Sequence, residues 1–117
     1  MHSEELLQLA QTSLEDLKAK DVSVFDVRGM TSVTDYLLIA SGTSDRHVRS
    51  LSDKLIQNVK QAGQPPLGVE GQDAGEWVLI DLNDVIVHVM QPRTREFYKL
   101  EDLWTLGGGD GLEQAGH

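Results

Sequence analysis

The sequence predicts one small α/β (α+β) domain, a mixed β-sheet with helices packed on it. Three observations carry that prediction. Residues 3–20 and Asp45 to Ala62 each repeat apolar residues at helical spacing. Around them lie short runs of Val, Ile, Leu and aromatics, bounded by Gly, Pro or Asn-Asp, which read as strands. A chain of 117 residues, 39% hydrophobic and 25% charged, has material for one core and not for two. The domain is expected over 1–105, with 106–117 as a flexible glycine-rich tail that buries too little to order itself.

The elements follow in order. Leu6, Leu7, Leu9, Ala10, Leu14 and Leu17 form one helical stripe, and Ser3, Glu4 and Glu5 suit its start, where acids meet the positive end of the dipole. Val22, Val24, Phe25 and Val27 indicate a short strand, and Gly29 with Thr31-Ser32 a turn. Tyr36 to Ala40 is continuously apolar, the pattern of a strand buried on both faces. Ser41-Gly42-Thr43-Ser44 then offers hydroxyls to cap the second helix, whose apolar face is Val48, Leu51, Leu55, Ile56 and Val59. Gly63 stands where a helix-terminating glycine belongs, and Pro65-Pro66 prevents continuation. Two strands, about 75–82 and 85–91, meet at Asn83-Asp84, with the possibility of a third nearby. Pro92 ends the second, and Arg93 to Trp104 reads as one or two short helical turns.

The hairpin is the most informative segment. A two-residue turn at Asn83-Asp84 pairs Asp81 with Ile86, Ile80 with Val87, Leu79 with His88, Val78 with Val89 and Trp77 with Met90. One face is then wholly aliphatic: Val78, Ile80, Leu82, Val85, Val87 and Val89. The other carries Trp77, Leu79, Asp81, Ile86, His88 and Met90. Aspartate and histidine are costly to bury unpaired, yet the remaining side chains are too apolar for an ordinary solvent face. Aromatic and Met residues with a few polar groups resemble the centre of a protein–protein interface. The alternative is that Phe97, Tyr98, Leu103 and Trp104 fold over this face, and the two arrangements are compatible.

Charge narrows the partner. Ten basic against nineteen acidic side chains leave −9, which favours a basic protein over phosphate. Incidental RNA contact is left to Arg46, Arg49, Lys54 and Lys60. No apolar run approaches the roughly 20 residues a membrane span needs, and the acidic N-terminus is unlike a signal peptide. The expected location is the bacterial cytoplasm. With no cysteine there is neither a disulfide framework nor a thiolate nucleophile.

Three stretches carry a specific resemblance. They are Asp35-Tyr36-Leu37-Leu38-Ile39-Ala40-Ser41-Gly42-Thr43-Ser44-Asp45-Arg46-His47-Val48; Gly71 with Gly75-Glu76-Trp77-Val78-Leu79-Ile80-Asp81; and Val85-Ile86-Val87-His88-Val89 with Thr94-Arg95-Glu96-Phe97-Tyr98-Lys99-Leu100-Glu101-Asp102-Leu103-Trp104. Together they resemble the ribosome silencing factor family, also called Iojap or YbeB, over roughly residues 5–104. The resemblance implies a nucleotidyltransferase-like fold without catalysis. It also implies binding to the large ribosomal subunit through its fourteenth protein, steric blockage of subunit joining when nutrients are scarce, and a homodimer when free. Contacts are expected from the Gly75–Asp81 strand and its neighbours: Trp77 as aromatic anchor, Leu79, Met90 and Tyr98 around it, Asp81 and His88 as polar contacts, Glu76 and Asp73 at the rim.

Other chemistries fit less well, and no cofactor or metal is expected. A nucleotide-binding or nucleotidyltransferase-like enzyme is the alternative, because amides of the turn 41–44 could meet a phosphate at a helix start. Such an enzyme needs paired carboxylates on a strand; Asp81 and Asp84 are three apart, with Asp84 in the turn. The four histidines, His2, His47, His88 and His117, show no close ligand spacing. Ser44 and His47 lie one helical turn apart, but His47 reads as a solvent-facing or first-turn residue rather than a base. Phe97, Tyr98 and Trp104 read as anchors of the terminal segment rather than a base-stacking platform.

Overall fold

A computed structural model describes residues 1–105. The tail expected over 106–117 lies outside the described residues. The chain runs α1 (Ser3–Asp16), β1 (Lys20–Asp26), β2 (Tyr36–Ser41), α2 (Asp45–Gln61), β3 (Gly68–Glu70), β4 (Trp77–Asp81), β5 (Val85–Met90), α3 (Pro92–Tyr98) and α4 (Asp102–Thr105). The five strands form one sheet in the order β1-β2-β5-β4-β3. Its central pair, β2 with β5, is parallel, and every other neighbour is antiparallel. The expected mixed sheet is the one observed.

Both long helices pack on the same face. Leu6, Ala10 and Leu14 of α1 and Val48, Leu51, Leu55 and Val59 of α2 close over Leu38, Ala40, Val78, Ile80, Val85, Val87 and Val89. Each of those strand residues is fully buried, so a side chain the size of Leu contributes about 2 kcal/mol by leaving water. Ser13 and Ser52 let the helices approach, and each returns its hydroxyl to a carbonyl four residues back, at 2.7 and 2.8 Å. Asn58 donates to Ser13 across the helix pair at 2.8 Å, so the polar atoms of this contact are satisfied.

Local boundaries depart from expectation at two places. The first helix stops at Asp16 rather than running to 20, because Lys18 turns left-handed (φ 62) and the Ala19 amide caps the Leu14 carbonyl at 3.1 Å. The possible third strand on the β4 side is β3, with only Val69 half-buried between exposed neighbours. The hairpin register is as expected, Trp77 opposite Met90 through Asp81 opposite Ile86. Asn83 takes the left-handed conformation (φ 72), and the Asp84 amide bonds the Leu82 carbonyl at 2.9 Å. No helix among the described residues is long and apolar enough to cross a membrane.

Candidate functional site

Among the described residues, the second face of the sheet has no helix layer of comparable size. Its floor is Val27, Leu37, Ile39 and Met90, with Phe25, Trp77, Ile86 and Leu100 packed against it half-buried. Strand alternation puts them there, since Leu37 and Ile39 point away from the side that Leu38 and Ala40 share with α1 and α2. The seven-residue α3 crosses one end of this face. Gln91 docks its start: the backbone amide donates to the Glu76 carbonyl at 3.0 Å, and the side-chain amide to the Gly75 carbonyl at 2.9 Å.

Trp77 is the hub. Its indole N–H donates to Nδ1 of His88 at 2.9 Å, and its ring lies 4.9 Å from that of Tyr98 and 5.8 Å from that of His88. Phe97 meets Tyr98 edge-on at 4.9 Å. Such ring pairs contribute about 1 kcal/mol each beyond their buried area. Because Nδ1 accepts, the His88 proton sits on Nε2, and burial pushes the imidazole pKa down to about 4. His88 is therefore a neutral acceptor that orients Trp77 at any neutral pH.

Beside His88 opens an apolar groove of about 290 Å³, walled by Val27, Val33, Leu37, Ile86, Leu100 and Leu103. Phe97 and Tyr98 are 76% and 53% exposed, so they rest on the face rather than seal it. The face is thus part covered and part presented. The expectation that Phe97 and Tyr98 anchor the terminal segment in the core is corrected: Tyr98 leans on Trp77 and Phe97 on Tyr98, and both rings stay mostly in solvent.

Of the expected contact residues, Trp77, Leu79, Asp81 and His88 are half-buried on this face, and Glu76, Asp73 and Tyr98 are exposed. Met90 differs. It is fully buried in the floor beside Trp77, its cross-strand neighbour, so it packs against the anchor and presents nothing to a partner. Asp81 spends one carboxylate oxygen on the Asn83 amide at 2.8 Å, which holds the hairpin turn. Asp73 and Glu76 sit in a loop shaped by Gly71 and Gly75, both at positive φ. A Cβ on Gly75 would stand 2.7 Å from the Asp45 carbonyl, so the loop can lie against α2 only with glycine there.

The turn between β2 and α2 has little left for a phosphate. The Gly42 amide donates to the Met90 carbonyl (3.0 Å), Thr43 to His47 Nδ1 (2.8 Å), Arg46 to the Asp45 carboxylate (2.8 Å) and His47 to the Ser44 hydroxyl (3.0 Å). Of the two readings of His47, solvent-facing or first-turn, the second holds: it lies in the first turn of α2 and is half-buried. Its Nε2 meets the Leu17 carbonyl at 2.7 Å, so the ring staples the end of α1 to the start of α2. Among the described residues no three His, Asp or Glu side chains converge in a way that could hold a metal ion.

The chain matches the family model described as ribosomal silencing factor during starvation over residues 1–115. It belongs to that family. It is 43% identical over 99 residues to the ribosomal silencing factor RsfS of Haemophilus influenzae, a match covering 85% of this chain and 97% of that protein. A mouse protein named mitochondrial assembly of ribosomal large subunit protein 1 is 38% identical over 100 residues, covering 83% of this chain and 44% of its own. A crystal structure of a Chromobacterium violaceum protein, 41% identical, superposes with a TM-score of 0.87 and covers 89% of this chain and 87% of that one.

Within this silencing-factor fold, sequence reasoning passed over one residue of consequence. Arg95 is buried to 9% exposure, with all five of its N–H groups engaged. In sequence it is one of three charged residues in Arg93-Thr94-Arg95-Glu96, a pattern that reads as a solvated helix face. The available signal was Glu101, six residues on, an acid placed to pair with an arginine that had turned inward.

Proposed function

We propose that this protein silences translation by occupying the large ribosomal subunit through the subunit's fourteenth protein, so that the small subunit cannot join. The effect is steric and involves no catalytic step. Membership in the silencing-factor family supports the reading, as does a relative named for assembly of the large subunit. The observation that carries it is the aromatic cluster of Trp77, Tyr98 and Phe97, left half-open on the sheet face opposite the two long helices. A half-buried tryptophan flanked by two exposed rings, beside an apolar groove, forms the kind of patch that anchors a protein partner. A net charge of −9 favours a basic partner and limits ribosomal RNA to incidental contact. The factor works in the cytoplasm under nutrient limitation, entering stationary phase, and pairs as a homodimer when free.

The test is co-sedimentation with isolated large and small subunits. Binding is expected to the large subunit alone. Trp77→Ala should weaken it by on the order of 2 kcal/mol, about thirtyfold, while its thermal melt stays cooperative. Equal affinity for both subunits, or for neither, would overturn the proposal. Unchanged binding by the variant would move the anchor elsewhere.

A further inference from the structure

Tyr98 belongs to a helix of seven residues, too short to hold an orientation by itself. What fixes it is Arg95, three residues earlier. The guanidinium takes Glu101 in a two-point grip, Nε to Oε1 at 2.7 Å and Nη2 to Oε2 at 2.8 Å. Its remaining donors reach the sheet: Nη1 to the Asp21 carbonyl (2.6 Å) and the Ser41 hydroxyl (3.0 Å), Nη2 to the Ser23 hydroxyl (3.0 Å). One side chain thereby ties α3 to β1, to β2 and to the loop that leads into α4.

The receiving surface is shaped for it. Between Lys20 and Ser23 the β1–β2 register shifts, and Asp21 sits at φ 49. A bulge with a non-glycine residue at positive φ is unfavourable on its own, and here it turns the Asp21 carbonyl out of the ladder toward Arg95. Ser41, Met90 and Trp77 stand abreast at one end of the sheet. Arg95 grips the Ser41 side of that row while Tyr98 rests on the Trp77 side.

We propose that Arg95 is the positioning residue of the partner-binding face: its fork on Glu101, Ser41, Ser23 and the Asp21 carbonyl sets the rotation of α3 that lays Tyr98 on Trp77. The assignment rests on the functional reading above in one respect, that Trp77 and Tyr98 meet the large subunit. Lysine cannot replace arginine here, because a point charge cannot span two carboxylate oxygens and three further acceptors at once. Preassembling the two rings spares the complex the loss of ordering them on contact.

Two readouts test it. The chain has two tryptophans, so Trp104→Phe leaves Trp77 as the reporter in the free protein. In that background Arg95→Lys and Glu101→Gln should each red-shift Trp77 emission while the circular dichroism stays native, which mere loss of stability in a folded protein would not do. In co-sedimentation each should weaken large-subunit binding about tenfold, and Arg95→Lys combined with Tyr98→Ala should be no worse than Tyr98→Ala alone. Should Arg95→Lys fail to fold, Glu101→Gln carries both arms. Unchanged emission in the folded variants, or fully additive binding losses, would overturn the proposal. If the wild-type chain binds no subunit, the functional reading fails, whereas a red shift still supports the positioning role.

Discussion

The two faces of the one sheet are built by different means. On the α1/α2 side, Val78, Ile80, Val85, Val87 and Val89 are aliphatic, fully buried and covered by two long helices. On the other side, Trp77, Leu79, Ile86 and His88 are half-buried, and a seven-residue helix crosses the Trp77 end on polar fastenings. The first face is held by area and needs no particular partner atom. The second depends on a few directional bonds, and keeps part of its apolar surface available. One face stabilises the fold; the other leaves apolar surface open without unfolding it.

Neighbouring residues on β4 sharpen this contrast most. Ile80→Ala should cost about 3–4 kcal/mol in urea unfolding, whereas Leu79→Ala, one residue along and on the other face, should cost about 1 kcal/mol. Equal losses would mean that the second face is also a closed core.

A smaller effect separates the faces by pH. The folded His88 pKa, about 4, lies below the ordinary 6.5. As pH falls through 6.5 the unfolded chain takes up a proton that the folded chain refuses, so stability present above 6.5 declines down to about 4. Between pH 6.5 and 5 this amounts to roughly 2 kcal/mol. The Glu101 carboxyl, held below its usual range by the hydrogen bond from Arg95, acts only at lower pH. Urea unfolding at pH 7 and pH 5 should reveal the decline, and His88→Gln should remove most of it. A flat profile for the wild-type chain would place His88 in water.

Smallest of all should be the stability cost of Tyr98→Ala. With the ring 53% exposed and stacked on a single neighbour, about 1 kcal/mol or less is expected from thermal melts. A loss as large as that of Ile80→Ala would turn Tyr98 from a presented residue into a core one.

The sequence made the covered face legible because alternation and helical spacing are carried by many residues that agree. The hairpin register followed from six aliphatic positions and a turn pair, and β2 from an unbroken apolar run. The open face was legible as a composition, Trp, Leu, Asp, Ile, His and Met, but not as an arrangement. The register sets Met90 beside Trp77, but that Met90 is wholly covered while Trp77 stays half-buried is not carried by alternation, and the Arg95 contacts that fasten α3 have no periodic signal. His47 escaped for the same reason, since its partner, the Leu17 carbonyl, is thirty residues away. The short β3 has one half-buried residue, too few to alternate.

The parallel pairing of β2 with β5 also orders events in time. Tyr36–Ser41 must wait for Val85–Met90, so the middle of the sheet closes a loop of more than forty residues before it gains a bond; such distant pairings form slowly compared with local hairpins. During synthesis the N-terminal elements emerge with one edge of β2 unpaired, and only the arrival of β5 completes the sheet. Trp77, Met90 and the arm that carries Tyr98 lie at or beyond that closing strand, or pair directly with it. The half-open aromatic face is therefore the last part of the sheet to be completed.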